Sequence, residues 1–248
     1  RINVDTLVSD TVQANGLIYQ GIEVSKDVGI IFVSNGNGKD TNEGNNPGGP
    51  FATITKALSV ANENSIIYIY PGTYQEAFPM TVPRGVTIQG DNIKNVEIIP
   101  TSATQSNDCF KLNPDVTIEN LTIKDFYYDS GNDKGYAFRL VDNYSIGIIN
   151  QEIGRSPYIR NCTVITKGTT TSASDPRGYA SGDAGRGALI DGALVQQNSR
   201  SASALFHAVT FITPGVTGLV AKSGVRVEWL NSFTYFAETG IKLEQGSG

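Results

Sequence analysis

The sequence has 248 residues, of which 39% are hydrophobic and 17% charged, and it contains 27 glycines. This length suffices for one large core or two smaller ones, and the glycine content is typical of many short strands joined by turns. The formal charge of −5 argues against a partner held through nucleic-acid phosphates, and no apolar run approaches the roughly 18 residues of a membrane-spanning helix. We therefore expect neither nucleic-acid binding nor membrane insertion.

Residues 1–29 are poor in apolar side chains, and those present alternate only in part with polar ones. A segment of this composition buries little surface by itself. Two interpretations stay open: a shaft-like leader that pairs with its copies in other chains, or a linker or edge strand. We divide the chain into this leader and one main domain over residues 30–248.

The main domain begins with a predicted strand at residues 30–34, a turn rich in Asn and Gly, and a short helix at about 53–62. Apolar residues at helical spacing, Ile54, Ala57, Leu58 and Ala61, support the helix. An apolar strand at residues 66–70 and further short strands follow, with turns and no helices between them. This order is typical of a chain that winds into a coil of strands. We expect the helix to cover the open end of the coil.

A weak internal repeat runs through the rest of the chain. A six-residue pattern begins at Ile118, Ile159, Phe206 and, more loosely, Val227. A three-residue pattern precedes each copy and recurs once more near the end, and its copies are residues 110–112, 138–140, 188–190, 219–221 and 241–243. The last two copies begin 22 residues apart, about one turn of a parallel β-helix, so longer spacings indicate insertions. The final copy opens a turn, and we expect a domain truncated at its C-terminal end.

Carboxylates in and around the insertions are the candidates for catalysis. Glycoside hydrolysis uses two carboxyl groups about 5 to 9.5 Å apart. The spacing of the sequence selects no pair, so we assign no catalytic residue and leave enzymatic activity open. The candidates are Asp125, Asp129, Asp175, Asp183 and Asp191.

Aromatic and arginine side chains near the turns are the candidates for ligand binding, because an aromatic face can stack on a sugar ring while its hydroxyl finds a partner. The same rings could instead fill gaps beside the coil or lie in a subunit interface. Trp229 is predicted to project outward from its strand and to contact a subunit or a neighbouring domain. The binding candidates are Tyr127, Tyr128, Tyr136, Arg177, Tyr179 and Arg186, with Tyr144 and Tyr158 as further aromatic residues at such positions.

No cofactor or metal is expected. The chain has two cysteines and one histidine, His207, whose neighbours predict a strand with the imidazole pointing outward. Asp40, Asn42 and Gly44 resemble part of a calcium loop, but position 51, where an EF-hand would place its last acidic ligand, is Phe51. A polar turn is the simpler interpretation.

Residues 32–99 resemble the N-terminal start of right-handed parallel β-helix proteins of the pectate-lyase-like superfamily. The resemblance rests on Pro50 to Ile54, Pro71 to Tyr74 and Val86 to Gly90, together with the helix. It implies a single-stranded right-handed parallel β-helix, all-β apart from the capping helix, and a choice of functions: cleavage of acidic polysaccharides, glycan binding or structural support. The calcium-binding aspartates and the basic residue of the pectate lyases have no match here that can be transferred residue by residue.

The coil together with the leader at residues 4–16 is similar to virion proteins of tailed bacteriophages, in particular those that infect cyanobacteria. This resemblance implies a structural or receptor-binding part of a tail appendage, a homotrimer that contacts other virion proteins and a host-surface glycan. Two alternatives remain. One is a polysaccharide depolymerase, a hydrolase or lyase with paired carboxylates; the other is an extracellular adhesin or lyase module secreted by a bacterium.

Overall fold

The computed structural model describes residues 29–142, 155–169, 182–194 and 202–248. It also describes the backbone of two short strands in the leader, β1 (Leu17–Tyr19) and β2 (Ile22–Val24), which pair antiparallel. The rest of the leader lies outside the described residues, so both interpretations of that segment stay predictions.

The main domain winds through three parallel sheets in turn. Two long strands, β10 (Thr117–Lys124) and β12 (Tyr158–Ile165), pass from the first sheet into the second. The first sheet contains β3 (Ile30–Val33), β4 (Ile66–Ile69), β7 (Thr87–Gly90), β10 (Thr117–Lys124), β12 (Tyr158–Ile165), β14 (Ser203–His207) and β17 (Arg226–Leu230). The second contains β5 (Gly72–Glu76), β8 (Val96–Pro100), the later halves of β10 and β12, β15 (Thr210–Ile212) and β18 (Phe233–Tyr235). The third contains β6 (Met80–Val82), β9 (Phe110–Leu112), β11 (Tyr136–Leu140), β13 (Arg186–Asp191), β16 (Thr217–Lys222) and β19 (Thr239–Leu243). The predicted fold class, an all-β parallel β-helix with a short helix, is confirmed.

The core consists of rows of side chains that stack from one turn to the next. In the first sheet, neighbouring strands pair without slippage, so one inward position recurs on all seven. Each fully buried aliphatic side chain of this size contributes roughly 1.5–3 kcal/mol by leaving water. Each of these residues therefore depends on the turns above and below it for its burial. The row is Ile31, Ile67, Ile88, Ile118, Ile159, Phe206 and Trp229.

The registers confirm the three-residue repeat and correct one copy of the six-residue repeat. All five copies of the shorter pattern align in the third sheet, with Phe110 opposite Phe138 and Leu219 opposite Ile241. Val227, however, pairs with Ala204, and Trp229 is the residue opposite Phe206. The prediction that Trp229 projects outward is therefore wrong. Its ring centroid lies 5.6 Å from that of Phe206, packed against the core.

A left-handed residue marks the bend between the first and second sheets in successive turns. Asn120, Asn161, Ala208 and Asn231 occupy this position, with φ angles of 60°, 48°, 54° and 47°. Asparagine tolerates this backbone region better than other residues with a side chain. The Asn161 side-chain amide also donates a hydrogen bond to Asn120 Oδ1 at 2.6 Å. Ala208 interrupts the row of asparagines, because a methyl group neither relieves the backbone conformation nor continues the hydrogen bonds.

Helix α1 (Ile54–Val60) packs against β3, β4, β5 and β6 in the first turns of the coil. Its buried face contains Ile54, Ala57 and Leu58, as the helical spacing predicted. The buried Glu76 carboxylate accepts hydrogen bonds from the backbone N–H groups of Ile54 and Thr55 at 2.6 and 3.1 Å. Burial raises the pKa of Glu76, while these donors and the Thr55 hydroxyl act to lower it. Glu76 thus ties the second sheet to the helix N-terminus, where unpaired N–H groups favour a carboxylate.

The substitution Ala208→Asn is expected to stabilise the protein. Ala208 is exposed and lies between Asn161 and Asn231 in the row of bend residues, so an asparagine there suits the backbone and can extend the hydrogen bonds. A left-handed alanine costs about 1–2 kcal/mol, and recovery of about 1 kcal/mol would raise the melting temperature by roughly 2–4 °C. Thermal unfolding measures the change. Asn161→Ala, as the matched control, should lower the melting temperature; a less stable Ala208→Asn protein would contradict this account of the bend.

Candidate functional site

A groove of about 1040 Å³ lies on the outer side of the first sheet, where its strands begin. Its floor is one outward row across five neighbouring strands. Strands lie about 4.8 Å apart, so this row is about 19 Å long. The sheet, rather than a loop, therefore sets the length and direction of the groove. The floor residues are Thr87, Thr117, Tyr158, Leu205 and Glu228.

Charged side chains of both signs line the groove. Arg84 Nε lies 2.9 Å from Asp115 Oδ2 and 3.5 Å from Glu63 Oε1, so one guanidinium joins two carboxylates. The other Asp115 oxygen accepts a hydrogen bond from the backbone N–H of Arg155. The exposed Arg155 guanidinium makes no hydrogen bond or ion pair with any residue that the structure describes. The groove thus presents hydrogen-bonding groups to solvent, including the Arg155 guanidinium, which has no ion-pair partner among the described residues.

A polar pair borders the groove on β12 and β14. The Tyr158 hydroxyl lies 2.9 Å from His207 Nδ1, and the two rings are nearly parallel. Arg160 lies over the Tyr158 ring, with its guanidinium carbon 5.7 Å from the ring centroid, and donates to the buried Glu119 carboxylate. This hydrogen bond raises the pKa of Arg160. His207 points outward as predicted, since it alternates with the buried Phe206.

Three predicted binding residues meet in a second cluster, on the outer side of the third sheet. The Arg186 guanidinium carbon lies 3.6 Å from the Tyr128 ring centroid, and Arg186 donates to the Tyr136 hydroxyl at 3.2 Å. Asp133 Oδ1 accepts hydrogen bonds from both phenols, at 2.9 Å from Tyr128 and 2.8 Å from Tyr136. Tyr136 is only 2% exposed. These four residues, which we call the Tyr–Arg cluster, pair mainly with one another, and their role in ligand binding stays a prediction.

The Tyr–Arg cluster shifts the pKa values of its members. Burial raises the pKa of Tyr136, and its hydrogen bond to Asp133 adds to this effect. Burial also acts to raise the pKa of Asp133, but the hydroxyls of Tyr136 and Tyr128 and the charge of Lys222 outweigh it and leave that pKa lowered. The cluster therefore favours an ionised aspartate between two neutral phenols.

Four of the five carboxylates predicted as catalytic candidates lie in the described residues, and none of these four lines the groove. Asp129 accepts hydrogen bonds from Gly131 and Asn132 and so holds a turn. Asp191 accepts from the Ser223 hydroxyl at 2.9 Å and lies 3.3 Å from Lys222 Nζ. Asp125 lies 3.9 Å from Lys167 Nζ, and Asp183 accepts hydrogen bonds from Thr169. Each of them thus has a partner among the described residues, within the same loop for Asp129 and Asp183 and one coil turn away for Asp125 and Asp191.

Of the five remaining candidates, the structure describes one, Tyr127, and does not describe the other four. Tyr127 forms an isolated antiparallel bridge with Ala184, beside the Tyr–Arg cluster. Asp175, Arg177, Tyr179 and Tyr144 lie outside the described residues.

Sequence reasoning missed Arg84, Asp115 and Arg155, because they lie in turns that carry no motif. A signal was present nonetheless. The groove floor is formed by the residue directly before the first core position of each turn. Extending the six-residue repeat by one residue toward the N-terminus would have found Thr117, Tyr158 and their register partners. The turns before those strands then form the groove wall.

Within residues 29–142 and the three later described ranges, no group of three or more His, Cys, Asp or Glu side chains could hold a metal ion. In that same part of the chain, none of the helices combines the length and the apolar character that crossing a membrane requires.

Comparisons with known proteins support the fold. Residues 36–107 match a family described as "Protein of unknown function (DUF1565)". A solved structure described as rhamnogalacturonan lyase superposes with a TM-score of 0.51 at 12% sequence identity, covering 88% of this chain. The chain spans 62% of the length of that structure. No curated protein matches the sequence. At this identity the structural likeness supports a shared parallel β-helix fold and nothing finer.

Asp133→Asn is expected to destabilise the protein in a pH-dependent way. The lowered pKa of Asp133 means that the folded state favours the carboxylate more than the unfolded chain does, where a carboxyl titrates near 4. The stabilisation is present at neutral pH and lost as the pH falls from about 4 through the lowered pKa. We expect a loss of about 1–2 kcal/mol at pH 7, shrinking below pH 4, in urea unfolding. The exposed Asp142→Asn is the control; a pH-independent loss for Asp133→Asn would contradict the assignment.

Proposed function

We propose that the groove on the first sheet binds a glycan chain. The observation that carries the proposal is the exposed Arg155 guanidinium, without a partner among the described residues, in a polar groove that crosses five strands and also contains Tyr158. A long groove suits a linear polymer. The guanidinium groups of the groove can donate hydrogen bonds to sugar hydroxyls, and its carboxylates can accept hydrogen bonds from them. The Arg155 guanidinium can bind an acidic substituent such as the carboxylate of a uronate.

The charge of the groove supports a glycan over a nucleic acid. Its lining contains the three arginines Arg84, Arg155 and Arg226 and an equal number of carboxylates. A polymer with a charge on every unit would meet as much repulsion as attraction there, and the chain as a whole is acidic. A glycan that is neutral or carries occasional charges fits this pattern.

A second candidate function is depolymerisation of such a glycan. The specific observation is the contact of 2.9 Å between the Tyr158 hydroxyl and His207 Nδ1 at the groove border. If the His207 imidazole accepts the proton of the Tyr158 hydroxyl, the Tyr158 oxygen can remove a proton from the ring carbon that carries a uronate carboxylate. This proton removal is the first step of a lyase reaction. The groove also places the carboxylates of Glu63, Asp115 and Glu228 along one surface. The solved structure that shares the fold is described as a lyase.

In its finer form, the proposal assigns this glycan-binding module to the virion of a tailed phage. There it would serve in a trimeric tail appendage that contacts other virion proteins and the host surface. The leader and the resemblance of the sequence to such proteins support this assignment. A secreted bacterial adhesin or lyase module, located outside the cell, is the alternative with the same groove.

Groove substitutions are expected to weaken glycan binding. On an array of neutral and sparsely charged bacterial surface polysaccharides, with the fully charged polygalacturonate and alginate for comparison, the unmodified protein should bind at least one polymer of the first kind. Arg155→Ala and Tyr158→Ala should each weaken that binding about tenfold, since each removes a contact worth about 1–1.5 kcal/mol. Lys167→Ala and Tyr235→Ala are matched controls, because both side chains are exposed and lie outside the groove.

Binding to no polymer, or binding that survives both groove substitutions, would contradict the proposal. Sensitivity to Tyr128→Ala instead would transfer the site to the Tyr–Arg cluster. Cleavage is read in the same samples from the ultraviolet absorbance of unsaturated sugar ends. Its loss in Tyr158→Phe and His207→Gln would support the lyase, and intact polymer would leave a binding module.

The appendage proposal predicts a trimer. Light scattering on a size-exclusion column should give about three times the chain mass of 26.5 kDa. A monomer that still binds glycan would contradict the fibre assignment and favour a secreted module.

A further inference from the structure

We propose a second sugar subsite, for one uncharged pyranose ring, in a pocket beside Tyr70 at the start of the coil. It rests on the proposed glycan function and deepens it. The pocket encloses about 430 Å³, within the usual range for small-molecule sites. Its lining combines proline and tyrosine side chains with polar Ser34 and Asn37 and contains no charged residue. The lining residues are Ser34, Gly36, Asn37, Pro47, Pro50, Tyr70 and Pro71.

The pocket wall is rigid. Tyr70 belongs to a group of three aromatic rings with Phe32 and Tyr68, whose ring centroids lie 5.2 to 6.2 Å from one another. The Tyr68 hydroxyl donates to Asp91 Oδ1 at 2.7 Å, which fixes that ring. Phe32 and Tyr68 are register partners on β3 and β4 and alternate with core residues, so they face outward. Pro50 and Pro71 add further side chains of limited freedom.

Two polar groups at this pocket have no hydrogen-bond partner in the part of the chain that the structure describes. The Tyr70 hydroxyl and the Asn37 side-chain amide form no hydrogen bond to any residue in the described ranges. The Ser34 hydroxyl accepts a hydrogen bond from the Asn37 backbone N–H at 3.3 Å and keeps its own proton to donate. A pyranose matches this arrangement, because it has an apolar face of C–H groups and an edge of hydroxyls. A charged sugar finds no counter-charge here.

The pocket lies on the same outer side of the first sheet as the groove. Tyr70 directly follows β4, while the groove residue Asn64 shortly precedes that strand. From β4 to β17 the sheet has five strand spacings, about 24 Å. The groove lies where the strands begin and Tyr70 lies where β4 ends, so a glycan that occupies both sites must turn out of the groove and cross the length of β4. The two sites would divide recognition, with Arg155 selecting charge and Tyr70 selecting ring shape.

Saturation-transfer NMR on the full chain tests the subsite with methyl glycosides of glucose, galactose, mannose, rhamnose and N-acetylglucosamine. At least one should receive saturation at its ring protons. Tyr70→Leu keeps bulk in the wall but removes the aromatic face, and should weaken that binding about tenfold. Asn37→Ala, at an exposed residue without side-chain hydrogen bonds, should weaken it several-fold. Tyr235→Ala is the matched control, because this exposed aromatic residue lies in neither the groove nor the pocket, and it should leave monosaccharide binding unchanged.

The outcomes separate this inference from the proposed function. If long polymers bind through Arg155 but no methyl glycoside is saturated, or Tyr70→Leu has no effect, the subsite is overturned while the groove function stands. If methyl glycosides bind through Tyr70 but no polymer binds the groove, the subsite stands alone. A short polyproline peptide that binds at Tyr70 while all sugars fail would overturn the subsite in favour of a peptide site.

Discussion

Every feature of this protein depends on the hydrogen bonds that hold each strand to the strand one turn away. Parallel pairing repeats without a register shift from β3 to β17, and the third sheet repeats it from β6 to β19. A slip of one residue would exchange inward and outward side chains along a whole strand. Burial of the row from Ile31 to Trp229 therefore stabilises this register, because a strand that slipped by one residue would turn its member of the row away from the core.

The same register that builds the core builds the binding surface. Thr87, Thr117 and Tyr158 are aligned outside the sheet for the reason that Ile88, Ile118 and Ile159 are aligned inside it. The alignment of the groove floor is consequently set by the same strand pairing as that of the core, whereas its charged walls come from turns. A surface of this kind suits a repeating polymer, since successive turns offer equivalent positions at a regular spacing. The mixed charges of the walls then decide which polymer is accepted.

Much of the fold was predictable from the sequence, because it is encoded locally. The spacing of Ile54, Ala57 and Leu58 predicted the helix, and the three-residue repeat predicted the third sheet. Trp229 was assigned to the wrong face because the last copy of the six-residue repeat is degenerate. Either Val227 or Trp229 could stand opposite Phe206, and only the observed strand pairing shows that it is Trp229. The candidate site was harder to predict. The sequence predicted Tyr128, Tyr136 and Arg186 among six binding candidates. Their contacts with one another arise because the turn bridged by Asp129 and Lys134 lies next to β13, which contains Arg186. The groove walls join turns distant in sequence, as in the contact of Arg84 with Asp115, and no local pattern reports that.

The row of residues at the bend between the first and second sheets shows where mutational coupling should lie. Asn120 and Asn161 are 41 positions apart in sequence yet joined by a hydrogen bond, while the residues next to each of them face other directions. The energetic neighbours of any residue in the coil are thus its counterparts one turn earlier and later. The compensating change for a substitution is therefore expected at its register partner one turn earlier or later. Engineering of this protein should therefore treat each column of residues that runs across the turns as one unit.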